Sequence, residues 1–434
     1  MTYDKIGNHL RLSQYGISIE MNTEGIGCPI YRMNEIHNML CDIDVDKYAD
    51  ISKDDYAHFA LKQGDVLFNR TNSFEWVGRT GVYYPTSNNE ERTFASYLVR
   101  FNPTQETILP EYLCTFLNSR YGVWDIKRRA RQSINQTNVN PEEVKEIDIP
   151  LLRMDIQLKI QKYFKFANVL RLQSRLAYDE ANQHLNQLFG IDNFVLTDGT
   201  ITEKKYTDFV SSTRLDAEYY RPKYDELINL VKSHQSGYGK LEMLFLIKDR
   251  NYIPEDGCLY KYIELSNIGS DGSITGHTEA LGEDLPSRAR RIVRAGDLIV
   301  SSLEGSLNSC AIIPEKYDGA ICSTGFYVLT PKDINVETAL VLFKSQLMQA
   351  LMTRVCSGSI MAGMNTDEFA NLIVPKIDQH TQHVIAEIIQ DCAQKREESI
   401  RLLELAKTAV EIAIEQGEEN AMNFLKIKHQ VVSI

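Results

Sequence analysis

At 434 residues the chain is long enough for two or more domains, each burying its own core. Hydrophobic residues make up 43% and charged residues 24%, ordinary for a globular chain. No apolar run approaches the ~18 residues of a membrane span. A net charge of −12 excludes a chain coated in basic residues, so any surface for a polyanion is local or shared with a partner.

The opening MTYDKIGNHL lacks the order of a secretory or transit signal, and a cytoplasmic location is expected. The cysteines (Cys28, Cys41, Cys114, Cys258, Cys310, Cys322, Cys356 and Cys392) have no close spacing that would mark a zinc or redox pair. They read as buried thiols of a reducing compartment.

In chain order, residues 1–151 read as a first mixed α/β module. Short β-branched runs (DVLFNR, GRTGVYY, SYLVRF) separated by Gly, Asn, Ser and Pro predict twisted strands, and Pro110 opens a helical stretch. Residues 152–190 change to a helical rhythm. Ile156, Ile160, Tyr163, Ala167, Leu170, Ser174, Ala177, Ala181 and Leu188 alternate between spacings of four and three, predicting one long helix with a narrow apolar seam.

Residues 191–375 read as a polar linker, helical from about Asp216, followed by a second module. That module repeats the first: YIELSNIGSDGSI…RIVRAGDLIVSS lies on YRMNEIHNMLCDID…ALKQGDVLFNR, with Gly296-Asp297 on Gly64-Asp65. Further on, Asn365 is laid on Asn138, Pro375 on Pro150 and Gln382 on Gln157. Residues 376–418 form a second seam (Ile385, Ile389, Cys392, Ser399, Leu403, Ala406, Val410, Ala413), broken near Arg396. Residues 419–434 are a tail without assignment. The expected fold is α+β: two repeated modules separated by long helices that pair as an antiparallel coiled coil, since neither seam can stay unburied. A helix of about 33 residues would be roughly 50 Å long, comparable to some 15 base pairs.

Catalytic signatures are lacking. There is no Gly-rich loop ending in Lys-Ser or Lys-Thr, and no Asn-Pro-Pro-aromatic segment of an amino-methyltransferase. Glu143-Val144-Lys145, the nearest approach to a metal-nuclease triplet, sits on a charged helix. His380 and His383 lack a third ligand and read as surface residues. What remains is polar and basic loop chemistry, in which Arg can pair with guanine and Asn with adenine. One cluster is Asn69, Arg70, Thr71 and Asn72, with Arg79 nearby. Another is Lys127, Arg128, Arg129, Arg131, Gln132, Asn135 and Gln136, which combines phosphate-seeking charge with amides. In the second module Ser301, Ser302 and Asn308 occupy the corresponding loop, and Arg288, Arg290, Arg291 and Arg294 supply charge from elsewhere. The GSIMAGMN segment adds Ser359 and Asn365.

The Gly-Asp strands (GDVLFNR, GDLIVSS), the QSINQTN and GSIMAGMN segments leading into IDIPLL and LIVPKI, the Gln-containing helix starts and DAEYYRPKY together resemble the specificity subunits of type I restriction-modification systems, over nearly the whole chain. The resemblance implies two target-recognition domains on double-stranded DNA, each reading half of a bipartite, asymmetric site, with the paired helices setting the gap. It also implies two methyltransferase subunits and motor-nuclease subunits as partners. S-adenosylmethionine, ATP and magnesium would be held by those partners, with no cofactor or metal on this chain and no membrane association. The rival readings are a scaffold that never touches DNA and a metal nuclease built on Glu143.

Overall fold

The computed structural model describes residues 1–87, 90–134, 136–191, 199, 201–212, 214–358 and 362–431. It divides into two compact units, Met1–Ser174 with Gln394–Ile434, and Arg175–Ala393.

The core of the first unit is a six-stranded sheet in the spatial order Leu10–Tyr15, Leu98–Pro103, Val66–Asn69, Thr80–Val82, Leu40–Cys41, Ile36–His37. Helices Pro110–Asn118 and Arg120–Arg129 cover one face, and Val66, Phe68, Val99, Phe101, Tyr112 and Leu113 fill the space between. The second unit repeats this with Phe245–Lys248, Phe326–Pro331, Leu298–Ser301 and Cys310–Ile312 under helices Val336–Lys344 and Gln346–Val355. Each module closes in the same way: Tyr3–Lys5 pairs antiparallel with Asp148–Pro150, and Tyr238–Lys240 with Ile373–Pro375.

The Gly-Asp repeat has a structural cause. Gly64 and Gly296 adopt φ of 87° and 82°, which a side chain would oppose. The carboxylate that follows turns back onto its own loop: Asp65 accepts from the Lys62 amide at 2.9 Å and Asp297 from the Arg294 amide at 2.8 Å. Both aspartates are buried, so their charge must be met. Arg100 (3.1 Å) and Asn102 (2.9 Å) meet it in one module; Lys248 (2.8 Å) and Thr330 (2.8 Å) do so in the other. The cation has moved to the neighbouring strand while the turn stayed.

The first long helix runs Met154–Phe189 and the second Gln379–Gln416. As expected, the second is one helix, and the interruption of its seam near Arg396 coincides with the boundary between units at Ala393 and Gln394. Within the first unit, Ile156, Ile160, Tyr163 and Ala167 share a core with Leu402, Leu403, Ala406 and Val410, and the Ser399 hydroxyl donates to the Ala167 carbonyl at 2.8 Å. Within the second, Tyr178, Ala181 and Leu185 share a core with Ile385, Ile389 and Cys392. The start of the first helix thus meets the end of the second, and its end meets the second's start, the order an antiparallel pair requires. Within the tail, helix Glu418–Val431 buries Ala421, Met422 and Leu425 in the first unit. Cys258 is exposed, against the expectation that all thiols are buried.

Candidate nucleic-acid interface

The two basic and amide clusters of the first module, some sixty residues apart in sequence, meet on one small sheet. Strand Thr71–Asn72 lies beside Thr137–Asn138, which lies beside Arg131–Gln132. The register puts Asn72 opposite Thr137 and Arg131 opposite Asn138. The buried Thr71 hydroxyl donates to the Asn138 side-chain oxygen at 2.6 Å, which fastens the hairpin to the core strand.

Around that sheet the candidates divide into fasteners and free groups. Asn69 is fully buried and donates to the Met33 carbonyl at 3.2 Å, so it holds the strand rather than facing solvent. Arg70 lies over the Tyr15 ring at 5.1 Å and donates to the Ser96 carbonyl at 3.3 Å. Arg79 stacks on Trp76, 3.3 Å from the ring centre, and burial pushes its pKa down to about 10. The Lys127 ammonium is held by the carbonyls of Phe74, Glu75 and Val77, and burial lowers its pKa. It therefore pins the loop between Asn72 and Arg79.

Arg128 and Arg129 both pair with Asp125 at the end of their helix, and Arg128 lies 5.0 Å over the exposed Trp124 ring. Arg131 pairs with Glu143 at 2.5 Å yet keeps 73% of its side chain exposed. Gln132 and Gln136 are exposed; Asn135 lies outside the described residues. Arg128, Arg129 and Arg131 line one open hollow with Glu143 and Glu146. The exposed groups are thus Arg128, Arg131, Gln132 and Gln136, on the hairpin and the helix end that precedes it.

The described residues of the second module keep the frame. Gly363 bridges both Leu303 and Ser357, as Asn138 bridges Thr71 and Arg131. A Cβ on Gly363 would come within 2.9 Å of the Ser302 carbonyl, so the close approach depends on glycine. This corrects the sequence register: Asn365 corresponds to Asn140, not Asn138. Asn140 caps helix Pro141–Lys145 and Asn365 caps helix Thr366–Ala370, each accepting a first-turn amide. The Asn-Val-Asn of the first module offers two positions for one asparagine. Ser359 lies outside the described residues.

Ser301 is buried, its hydroxyl 2.9 Å from that of Ser306, and Ser302 donates to the Gly325 carbonyl at 3.0 Å. Asn308 is exposed, and its carbonyl accepts from Lys344 at 2.6 Å. The arginines stand on another sheet, whose strand Ala289–Ile292 carries Arg290 and Arg291; Arg291 donates to Asn251 at 2.9 Å and Arg290 to the Ser287 carbonyl at 3.2 Å. The exposed Arg288 comes near the Ser302 loop, because its carbonyl accepts from Thr324 beside Gly325. Arg294 is exposed and 3.4 Å from Asp318. Among the described residues no group of His, Cys, Asp or Glu could hold a metal, and no helix is long and apolar enough to cross a membrane. Glu143 is paired with Arg131, and His380 and His383 are exposed.

Residues 240–403 match the family model of the type I restriction modification DNA specificity domain. That match takes in most of the second module. Over 154 residues the chain is 30% identical to the putative type I restriction enzyme MjaX specificity subunit of Methanocaldococcus jannaschii, covering 35% of this chain and 36% of that one. It is 23% identical over 172 residues to the EcoKI specificity subunit of Escherichia coli, covering 38% and 37%. The matches therefore span little more than a third of these curated relatives. The solved S subunit of a type I system from M. genitalium aligns over 98% of this chain and 95% of its own, at 14% identity and a TM-score of 0.39. The matched segment takes in the Gly-Asp turn at Asp297, the Gly363 bridges and the start of the second long helix.

The glutamines that open the long helices carry a role that the sequence does not reveal. Gln157 and Gln382 are buried, and each binds one backbone N–H and two backbone carbonyls at equivalent places. The repeat marks them as equivalent positions, and the burial of both is the physical reason for that equivalence.

Proposed function

We propose that this chain is the DNA-specificity subunit of a type I restriction-modification complex, non-catalytic itself, in which each module reads one half of a bipartite, asymmetric site. The observation that carries this reading is the convergence of Asn72, Arg131, Gln132 and the Arg128 helix end on one small sheet, at a place where the second module has the same bridges and different side chains. Charged groups of that kind attract phosphates, and amides in a strand-loop setting distinguish base edges. Two copies with unlike side chains on one frame would read two unlike sequences.

The partners in this reading are double-stranded DNA, two methyltransferase subunits and the motor-nuclease subunits. S-adenosylmethionine, ATP and magnesium are assigned to those subunits, which act in the cytoplasm. The paired helices hold the half-sites apart. The test is to express the chain with its methyltransferase in a methylation-free host and map every modified base. A split motif with a fixed unread gap, lost when the chain is omitted, is expected; modification that is indifferent to the chain would leave the scaffold reading.

A further inference from the structure

Each long helix carries in its first turn a glutamine that is buried against its own module. The Gln157 side-chain oxygen accepts from the Leu109 amide at 2.9 Å, and its amide donates to the carbonyls of Leu152 (2.8 Å) and Thr107 (3.1 Å). The Gln382 oxygen accepts from the Asn335 amide at 2.8 Å, and its amide donates to the carbonyls of Ile377 (2.9 Å) and Asp333 (3.3 Å). Leu109 and Asn335 are the N-caps of helices Pro110–Asn118 and Val336–Lys344, so each glutamine ties a long helix to the helix that roofs its module.

A buried amide with all its groups satisfied fixes direction as well as distance, since neither end tolerates the other's partner. An apolar contact of the same size would let the helix slide or turn by a fraction of its pitch. The two clamps are alike in their three bonds and differ in their surroundings. Asn335 sends its side chain back to the Gln382 carbonyl at 2.8 Å, a bond that Leu109 cannot make.

We propose that Gln157 and Gln382 are positioning residues that set where each recognition module sits along its long helix, and thereby the length of the unread gap between half-sites. This rests on the reading of the chain as a bipartite specificity subunit. The second module, with its extra bond, is the more firmly registered, so loosening Gln157 has the larger effect.

The test uses the full chain with its methyltransferase partner and compares wild type with Gln157→Leu, Gln382→Leu and Asn335→Ala by methylation mapping. The two half-sites should persist in every variant. Sites whose gap is one base pair longer or shorter should gain methylation several-fold over wild type, most in Gln157→Leu and least in Asn335→Ala. Folding of each variant is checked by thermal melting of the complex. Asn335→Ala, which keeps the glutamine, guards against a Gln→Leu chain that fails to fold. Folded variants that methylate only the parental gap would overturn the proposal. Absence of any bipartite methylation by wild type would instead overturn the reading on which it rests.

Discussion

The two modules share a scaffold and differ at its edge. In the first, the hairpin between Arg131 and Asn138 pairs as two short strands with Thr71–Asn72, and the basic groups sit on that hairpin and on the helix end before it. In the second, the described residues show the same crossing as bridges at Gly363, and the arginines come from Arg288 and the strand Ala289–Ile292. The parts common to both are those that the fold cannot do without: a left-handed glycine before a buried aspartate, a closing strand pair, a buried glutamine. The side chains that differ there, Arg128, Arg131, Gln132 and Gln136 in one module and Arg288 and Asn308 in the other, are exposed. A frame of this kind lets the exposed surface change without disturbing stability, because substitutions there neither open cavities nor orphan buried polar groups.

Removing charge should give the largest difference between the modules. Replacing Arg128 and Arg131 together by Ala is expected to weaken DNA binding about tenfold and to lower the salt slope by about one for each phosphate that is no longer neutralised. The same pair of losses in the second module requires Arg288 and Arg290. Titration of half-site duplexes at several salt concentrations checks both. If Arg288→Ala with Arg290→Ala leaves affinity and slope unchanged, the second module reads DNA from another face.

A smaller effect is expected from the lysines that pin the loops. Lys127→Met leaves three carbonyls of the Phe74–Val77 loop without their donor and should cost about 1–3 kcal/mol, read as a lower melting temperature of the chain. Lys344, which among the described residues donates to the Asn308 carbonyl, should cost less when changed to Met. Equal losses would contradict the assignment of Lys127 as the fastener of a reading loop.

Much of this architecture is legible in the sequence because it rests on periodicity and on repetition. The seams at Ile156 to Ala181 and Ile385 to Ala413 report helices directly, and Gly-Asp marks a turn that needs both residues. The candidate site is less legible. Asn69 and Ser301 look like loop readers in a string of polar residues, yet the strand carries them inward, where a polar side chain must give its hydrogen bonds to the fold. Lys127 stands among arginines in sequence, but the helix turns it toward three carbonyls. Pairing of residues 71–72 with 137–138 has no local signal at all, since it joins segments some sixty-five residues apart. The Asn138 register fails for a similar reason: Asn140 offers the same residue type two positions later, and only the capping geometry separates them.

The most direct test of the account is methylation mapping of two variants beside wild type: one with Asn72, Gln132 and Gln136 changed to Ala, the other with Asn308 and Arg288 changed to Ala. The account predicts that each variant loses or relaxes one half of the split motif, a different half in each case, with the other half and the gap unchanged. Changes in both halves from either variant, or in neither half from both, would contradict the claim that each module reads its own half through these exposed groups.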